Sequence, residues 1–291
     1  MLGAIIGDII GSPYEFKNVK GKDLQFFSED AIFTDDTVLT VATASAIMEN
    51  ADYGERYGRY FGLYHTRSAS YTGLGVGFGP MFVDWGQTPE NLRKPYNSYG
   101  NGSAMRVSPI AWAYNSLFDV MVESQLSACP THNHIEGIKA AQAVAVCILM
   151  ARQDYGPESI QGFIEAYFGY NLDFDIDYLN ESYKFNATAP GSVPQAIFCA
   201  LSASSFKETM ENCLYIGGDT DTIAAIAGSI SEALHGIPTD YRAKALAIIE
   251  KESPSLKGMI LEFEKRYCTG KRIEKTVASN FIDKILERIK K

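Results

Sequence analysis

Hydrophobic residues recur at helical spacing along most of the chain. Residues 222–235 give the clearest pattern, because their apolar positions share one helix face and Gly236 and Pro238 then stop the helix. That face carries Ile223, Ile226, Ala227, Ile230 and Leu234. Segments that alternate between polar and apolar residues are scarce. The pattern therefore predicts an all-α protein, a compact bundle of many helices.

The periodicity also predicts where the helices lie and how the first one packs. The predicted helices are residues 2–12, 36–50, 54–65, 88–93, 103–115, 118–128, 132–152, 157–168, 175–181, 193–204, 206–214, 222–235, 239–252, 254–267 and 277–290. Residues 16–34 leave room for a short β-hairpin, and the Tyr- and Gly-rich region 53–99 should be loop-rich with short helices. Gly3, Gly7 and Gly11 indicate other helices packed closely around a buried first helix.

No Pro/Ser-rich linker, charge block or internal repeat divides the 291 residues, so a single domain spanning 1–291 is expected. The longest apolar run, residues 140–151, is too short to cross a membrane and contains Gln142, so it is predicted to be a core helix. The apolar N-terminus has no basic region before it and carries Asp8, unlike a signal peptide. No membrane partner is expected.

Composition narrows the classes of partner. A net charge of −9 argues against nucleic-acid binding through bulk electrostatics, although a local phosphate pocket stays compatible with it. The five cysteines are widely spaced and form no CxxC pair, so neither a disulfide framework nor a thiolate zinc site is expected. A reducing, cytoplasmic compartment fits this usage.

Candidate chemistry begins with GGDTDTIAAIAG, residues 217–228, where Asp219 and Asp221 stand at the start of a helix. One aspartate there is an ordinary cap, because its carboxylate accepts a backbone N–H and suits the positive end of the helix dipole. Two aspartates exceed what a cap needs, and Thr220 and Thr222 add further oxygens. Taken alone, the motif is still most often a solvated turn or a cap.

A second motif of the same kind, FTDDT, places Thr34, Asp35 and Asp36 at the start of another helix. Each of the two helix N-termini thus offers threonine and two aspartates. Hard oxygens with no histidine or cysteine nearby fit Mg²⁺ or Mn²⁺ rather than Zn²⁺. The pair therefore indicates a site for two metal ions, and two independent acidic caps are the alternative.

GDIIGSPYE, near the N-terminus, adds two acidic residues. Asp8 lies within an apolar helix, where an unpaired carboxylate is costly to bury, so it requires hydrogen-bond donors or a polar cleft. It is equally compatible with a buried structural anchor. Glu15 follows Pro13, where the helix should end, and next to metals it could hold or deprotonate a water.

Glycine-rich turns that lead into helices supply candidate ligand loops. In YGNGSAMRVSP, residues 99–109, the free N–H groups of Gly102, Ser103 and Ala104 suit a phosphate, together with Arg106. PTHNHIEG places His132 and His134 at another helix entrance, with no third His or Cys in view to complete a zinc site. APGSVPQAIFCAL, residues 189–201, is a further turn of this type.

Together these motifs resemble the ADP-ribosylglycohydrolase family. GDIIGSPYE, FTDDT, GNGSAMR, THNH, SVPQAI and GGDTDT occur in the family's order and cover about residues 1–236. The resemblance implies a compact all-α domain with two Mg²⁺ ions, replaced by Mn²⁺ in some members. It implies metal ligands at Thr34, Asp35, Asp36, Asp219, Asp221 and Thr222.

The resemblance also implies the remaining site residues. Glu15 matches the family's movable glutamate, and Glu15 with Asp36 or Asp221 is expected to activate the water or the leaving group. The residues expected to bind substrate are Asn101, Gly102, Ser103, Met105, His132, Gly191 and Ser192. Some members carry an acidic residue just before the GNG turn, where this chain has Asn97 and Ser98, so the general base stays open.

The implied reaction is hydrolysis at the anomeric carbon of ADP-ribose. The substrate is ADP-ribose joined to a protein or small-molecule acceptor, and an ADP-ribosylated nucleobase also fits. Two alternatives stay open. A haloacid-dehalogenase-type phosphatase could use the DTDT motif, but its site requires a preceding β-strand. A non-catalytic ADP-ribose-binding or immunity module could use the same pocket.

Overall fold

The computed structural model describes residues 1–17, 19–66, 77–268, 273 and 279–289, which form sixteen α-helices. The helices are α1 (Leu2–Gly11), α2 (Asp35–Glu49), α3 (Tyr53–Tyr64), α4 (Pro80–Gln87), α5 (Gly102–Met105), α6 (Ser108–Ala113), α7 (Leu117–Ala128), α8 (Ile135–Arg152), α9 (Pro157–Phe168), α10 (Ile176–Ser182), α11 (Ala189–Leu201), α12 (Phe206–Ile216), α13 (Thr220–His235), α14 (Thr239–Glu252), α15 (Pro254–Tyr267) and α16 (Ser279–Ile289).

The centre of the fold is an antiparallel pair, α1 and α13, whose residues are almost all buried. Their backbones touch, because a Cβ atom built on Gly3 would lie 2.2 Å from the Gly228 carbonyl oxygen. A Cβ on Gly7 would lie 1.9 Å from the Ala224 carbonyl oxygen. The predicted close packing around a buried first helix is confirmed. It brings the C-terminal end of α1 beside the N-terminal end of α13.

Four helices surround this pair. α8, α11 and α12 pack against α13, and α2 packs against α1. The outer layer consists of α3 and α15 on α2, α7 on α8, and α16 on α9. The core is mainly alanine, valine, leucine and isoleucine, whose small or branched side chains let many helices approach one another.

The all-α prediction is confirmed, whereas the hairpin predicted for 16–34 is wrong. The described part of that segment forms turns and contains no strand. The segment is held by contacts with a distant part of the chain instead of by strand pairing. The Lys20 ammonium donates to the carbonyl oxygens of Asn180 and Tyr183 at 2.6 and 2.7 Å. The backbone also takes a positive φ at Phe27.

Several helix boundaries differ from the prediction. The helix predicted over 103–115 is two helices, α5 and α6, and the one predicted over 88–93 is a 3-10 turn at Glu90–Leu92. α11 begins at Ala189 because Pro190 suits the first turn of a helix. α4 was not predicted, and residues 73–76 of the Gly-rich run that precedes it lie outside the described residues.

Within the described ranges, no helix has both the length and the apolar character that crossing a membrane requires.

Candidate active site

The N-terminus of α2 is fixed by a buried carboxylate of α1. Asp8 Oδ2 accepts the backbone N–H groups of Thr34 and Thr37 at 2.9 and 3.1 Å, and Asp8 Oδ1 accepts the Thr34 hydroxyl at 2.8 Å. The Thr37 hydroxyl also donates to Asp8. Thr34 caps the helix through its hydroxyl, which accepts the Asp36 N–H at 3.3 Å. Asp8 is therefore the structural anchor that the sequence allowed.

The N-terminus of α13 is built differently. Gly217 and Gly218 have positive φ values of 71° and 86°, a conformation that favours glycine, and they turn the chain into the helix. Asp219 makes no side-chain cap; its Oδ2 instead accepts the Asn101 side-chain N–H at 2.7 Å. Asp221 Oδ1 accepts the backbone N–H of Thr222 at 2.9 Å.

The two acidic turns meet where α1 ends. The Thr222 hydroxyl lies 3.4 Å from Asp36 Oδ2, which joins residues 186 positions apart. Carboxylate oxygens of Glu15, Asp219 and Asp221 all lie within 4.8 Å of one another. The fold therefore brings both motifs and the glutamate of GDIIGSPYE into one cluster.

Burial and mutual repulsion dominate the electrostatics of the cluster. Burial, followed by the charge of Asp221, raises the pKa of Glu15 to about 11 and that of Asp8 to about 7. The pKa values of Asp35 and Asp36 are raised well above their usual range by the same two causes. So many carboxylates in one buried site are unfavourable without a compensating cation.

The donor set fits a hard divalent cation. Asp36 is 2% exposed, and its Oδ1 is buried without any hydrogen-bond partner. A buried acceptor of this kind normally has a partner, so the orphan oxygen marks a place for a positively charged ligand. The surrounding donors are carboxylate and hydroxyl oxygens, the ligands that Mg²⁺ and Mn²⁺ prefer.

A cavity of about 490 Å³ opens above the cluster. The predicted site residues that line it are Glu15, Asp35, Asp36, Asn101, Gly102, Met105, His132, Asp219, Asp221 and Thr222. Thr34, Ser103, Gly191 and Ser192 are not among its lining residues. Ser192 nevertheless supports the site, because its hydroxyl accepts the Asn101 N–H at 3.1 Å.

His132 packs against the Gly102 turn in the wall of this cavity. A Cβ built on Gly102 would lie 3.1 Å from His132 Nε2, so the ring and the turn are in close contact. The other ring nitrogen, Nδ1, lies 2.8 Å from the Thr131 hydroxyl. Burial, and then the Arg106 charge, lower the pKa of His132 well below its usual value, so the ring is neutral at pH 7. His134 instead caps α8 by accepting the Glu136 N–H.

Among the large hydrophobic side chains that line the cavity, three are exposed, and the sequence did not single them out. Phe16, Met81 and Phe185 are 65%, 53% and 51% exposed. The Phe16 and Phe185 rings are nearly parallel, with centroids 6.2 Å apart. Phe16 directly follows Glu15, which was a usable signal. Phe185 has no local signal, because only the fold brings it to the cavity.

Arg106 also differs from expectation. The guanidinium was a candidate phosphate ligand, yet it is fully buried, and its carbon lies 4.0 Å from the centroid of the Tyr57 ring. Its Nη2 donates to the Ser127 carbonyl and to the Thr131 hydroxyl. Arg106 is itself one of the residues that line the cavity, and it holds Thr131 and, through Thr131, His132.

The helical fold and the cavity lined with carboxylates are those of an all-α hydrolase. The chain belongs to the ADP-ribosylglycohydrolase family, because the model of that family matches residues 1–252. It is accordingly an enzyme that hydrolyses a glycosyl bond of ADP-ribose. The resemblance seen in the motifs is confirmed. The haloacid-dehalogenase reading is excluded, since helix α12 rather than a β-strand precedes DTDT.

Relatives from distant organisms support this assignment. ADP-ribosylhydrolase ARH3 of Bos taurus is 26% identical over 314 residues, covering 81% of this chain and 84% of that protein. An uncharacterized protein of Archaeoglobus fulgidus is 29% identical over 269 residues, covering 80% and 85%. A solved structure of an ADP-ribosylglycohydrolase-related protein complex has the same fold, with a TM-score of 0.65 at 20% identity; the match covers 91% of this chain and 95% of that one.

Proposed function

We propose that the protein hydrolyses the bond at the anomeric carbon of ADP-ribose in a reaction that requires Mg²⁺ or Mn²⁺. The products would be free ADP-ribose and an unmodified protein or small-molecule acceptor. The observation that carries the proposal is the meeting of two acidic helix N-termini beside Glu15, with the buried Asp36 Oδ1 unpartnered. The mammalian relatives are also ADP-ribosylhydrolases by name.

The six oxygen donors of the two turns are the proposed metal ligands: Thr34, Asp35, Asp36, Asp219, Asp221 and Thr222. Divalent ions bound there would supply positive charge that holds the ribose hydroxyls and favours ionisation of a water. Asp8 and Asn101 would position these ligands, because each accepts or donates a buried hydrogen bond to one of the two turns.

The loop from Asn101 to Met105 and His132 would bind the diphosphate part of the substrate. Gly102 lets this turn pack closely against the His132 ring, because a Cβ there would lie 3.1 Å from His132 Nε2. A neutral His132 can donate a hydrogen bond to an anionic phosphate oxygen without adding charge. Ser103 would act indirectly, since its hydroxyl donates to the Gly137 carbonyl and ties the turn to α8.

Glu15 and one aspartate would carry the proton transfers. As the leaving group departs, positive charge grows on the ribose ring, and the Asp36 and Asp221 carboxylates would stabilise it. One carboxyl group serves the leaving group and another serves the attacking water, as in other glycosidases. Glu15 lines the cavity, and one of its carboxylate oxygens lies within 4.8 Å of those of Asp219 and Asp221, so it would reach the same water or leaving group.

The test is release of free ADP-ribose, detected by mass, from substrates modified at arginine, serine or a nucleobase. Each substrate is assayed with Mg²⁺, with Mn²⁺ and with EDTA. We expect release from at least one linkage with a divalent ion and none with EDTA. Full activity in EDTA would contradict the proposed metal requirement. Tight ADP-ribose binding without turnover on the whole panel would favour the non-catalytic module instead.

A further inference from the structure

Two exposed aromatic rings stand at the rim of the catalytic cavity. Phe16 and Phe185 are 65% and 51% exposed, and both line the cavity. Their centroids are 6.2 Å apart with 29° between the ring planes, so the two rings partly stack on each other. Exposed apolar side chains of this size, gathered in a cleft, indicate a contact surface for a ligand. We call these two side chains the aromatic pair.

The two segments that carry the aromatic pair are tied to each other. Lys20 follows Phe16 by four residues, and its ammonium donates to the Tyr183 carbonyl oxygen at 2.7 Å. Tyr183 lies two residues before Phe185, and its hydroxyl donates to the Gly191 carbonyl oxygen at 2.9 Å. These hydrogen bonds keep the segments side by side, so the meeting of the rings is a built feature of the rim.

The aromatic pair adjoins the carboxylate cluster, where the proposed reaction takes place. Phe16 directly follows Glu15, whose carboxylate belongs to the cluster. Phe185 lies two residues before Ala187, whose carbonyl oxygen accepts the backbone N–H of Asn101 at 3.0 Å. Both rings therefore lie on segments that contact the surroundings of the reacting bond.

The diphosphate is assigned to another part of the cavity wall. There His132 packs against the Gly102 turn, and its ring lies beside Tyr96 with centroids 6.1 Å apart. Within the described part of the chain, neither ring of the aromatic pair stacks on His132 or Tyr96. With ADP-ribose held by that wall, the exposed faces of the aromatic pair are left for the acceptor, on the other side of the glycosyl bond.

A lysine stands next to each ring. Lys17 directly follows Phe16, Lys184 directly precedes Phe185, and both lysines are exposed. Lys17 pairs with Asp30 at 3.0 Å, whereas Lys184 forms no ion pair with the described residues. This positive charge stands out on a chain whose net charge is −9. It disfavours a cationic acceptor such as a guanidinium and favours an acceptor that carries phosphate.

Rings that stack on bases, set among lysines that attract phosphate, are a common means of binding nucleotides. We propose that the aromatic pair is the acceptor subsite and that the acceptor is the base of a nucleotide. This inference rests on the proposed function. Hydrolysis breaks the bond between the anomeric carbon and a base nitrogen. The water oxygen joins that carbon, and a proton of the water ends on the nitrogen.

The kinetic test compares three substrates: ADP-ribose joined to the base of a guanosine nucleotide, to an arginine peptide and to a serine peptide. We expect the highest kcat/KM on the nucleotide. Phe185→Leu keeps an apolar side chain but removes the stacking ring, so KM for the nucleotide should rise about tenfold with little change in kcat. KM for the serine peptide should stay at the parent value. Phe118→Leu, which alters an exposed phenylalanine outside the cavity, is the matched control.

The role of the lysine is tested separately. Lys184→Gln should raise KM for the nucleotide about twofold to fivefold at low salt, because it removes one exposed charge that attracts the phosphate. The corresponding nucleoside, which lacks the phosphate, should show no change. An equal change for both substrates would contradict the assigned role of Lys184.

A binding measurement tests the subsite without turnover. Guanosine 5′-monophosphate is titrated into the full chain while ADP-ribose and Mg²⁺ saturate the catalytic cavity, and NMR detects binding. We expect saturable binding that Phe185→Leu weakens about tenfold, with the affinity for ADP-ribose unchanged. Phe16→Leu, which removes the other ring, is the second variant if Phe185→Leu does not fold. No turnover on any linkage would contradict the proposed function, whereas this titration tests the aromatic pair alone.

Four results would overturn the proposal. Equal effects of Phe185→Leu on all three linkages would mean that the ring only supports the rim. Displacement of the nucleotide by ADP-ribose, or a loss of ADP-ribose affinity in the variant, would mean that the rings hold the adenine of ADP-ribose itself. A higher kcat/KM on the arginine peptide than on the nucleotide would assign the subsite to a guanidinium. Thermal unfolding temperatures identify any loss caused by misfolding.

Discussion

The two acidic turns are nearly the same in sequence and differ in how the fold holds them. The α2 turn is fixed by Asp8, which accepts four hydrogen bonds from Thr34 and Thr37. In the α13 turn the Thr220 hydroxyl donates to the Gly11 carbonyl of α1 at 3.0 Å, and the Asp219 carboxylate accepts the side-chain N–H of Asn101. Both turns are therefore tied to α1, but the Asp219 carboxylate of the α13 turn is held by Asn101, from the loop that lines the cavity.

Because of this difference, Asp8 should matter mainly for the stability of the protein, and Asn101 mainly for its interaction with substrate. Asp8 lies in the core and touches no part of the cavity, so its hydrogen bonds fix the α2 turn whether or not a substrate is present. Asn101 lines the cavity and holds Asp219, so a ligand that moves the Asn101 loop also moves a proposed metal ligand.

The largest effect should come from removing one carboxylate from each turn. Asp35→Ala and Asp221→Ala should each lower kcat/KM by about three orders of magnitude, because a bound metal contributes several kcal/mol to transition-state stabilisation. Steady-state release of ADP-ribose measures this, and the exposed Asp173→Ala is the matched control. Parent-like activity in either variant would show that the carboxylate of that turn is not required for hydrolysis.

Removing the anchor of the α2 turn should mainly destabilise the protein. Asp8→Ala leaves two buried N–H groups and two hydroxyls without their charged acceptor, so we expect a loss of roughly 3 kcal/mol in the free energy of unfolding. Denaturant unfolding measures the loss. Thr37→Val, which removes one of the four donors, should lose about 1 kcal/mol. An unchanged free energy for Asp8→Ala would show that the two turns do not differ in this way.

Removing the anchor of the α13 turn should mainly affect activity. Asn101→Ala should lower activity or metal affinity roughly 10- to 100-fold, the usual effect of losing a residue that orients a ligand. A Mg²⁺ titration of the initial rate measures it, with the exposed Asn91→Ala as control. A loss of stability as large as that of Asp8→Ala would count against the contrast between the turns.

The smallest effect concerns pH in the absence of metal. Burial raises the pKa of Asp8 from 3.8 to about 7 and also raises the pKa values of Asp35, Asp36, Asp219 and Asp221. Between the unfolded and the folded pKa of these carboxyl groups, the folded state binds more protons than the unfolded state. The free energy of unfolding therefore falls as pH rises from about 4 towards 7.

In EDTA, the free energy of unfolding should therefore be lower at pH 8 than at pH 6, by on the order of 1 kcal/mol. Excess Mg²⁺ should remove the difference, because it favours the ionised carboxylates. Thermal unfolding at constant ionic strength measures both conditions. Stability that rises with pH in EDTA would contradict the raised pKa values.

Local patterns predicted most of the fold. The apolar face of 222–235 and the glycine spacing of the first helix identified the two central helices, because burial on one face leaves a periodic trace. The carboxylates of both turns were also recognisable, since acidic residues at a helix N-terminus exceed what capping requires. Their order along the chain, with the other motifs, indicated the family.

Contacts between residues far apart in the chain could not be predicted from local sequence patterns. No local rule pairs Asn101 with Asp219, which are 118 positions apart, or brings Phe185 beside Phe16. The split of the 103–115 helix had a local signal that was overlooked, because Pro109 stands in the first turn of α6 and does not fit the interior of one continuous helix.

The glycine contact between α1 and α13 has a consequence for how the enzyme forms. Its two helices lie more than 200 positions apart, and the carboxylate cluster exists only once their backbones have met. Contacts between such distant segments are slow to form because a long loop must close first. During refolding, helical content should return before activity. The rate at which activity returns therefore measures how fast the first helix docks against α13.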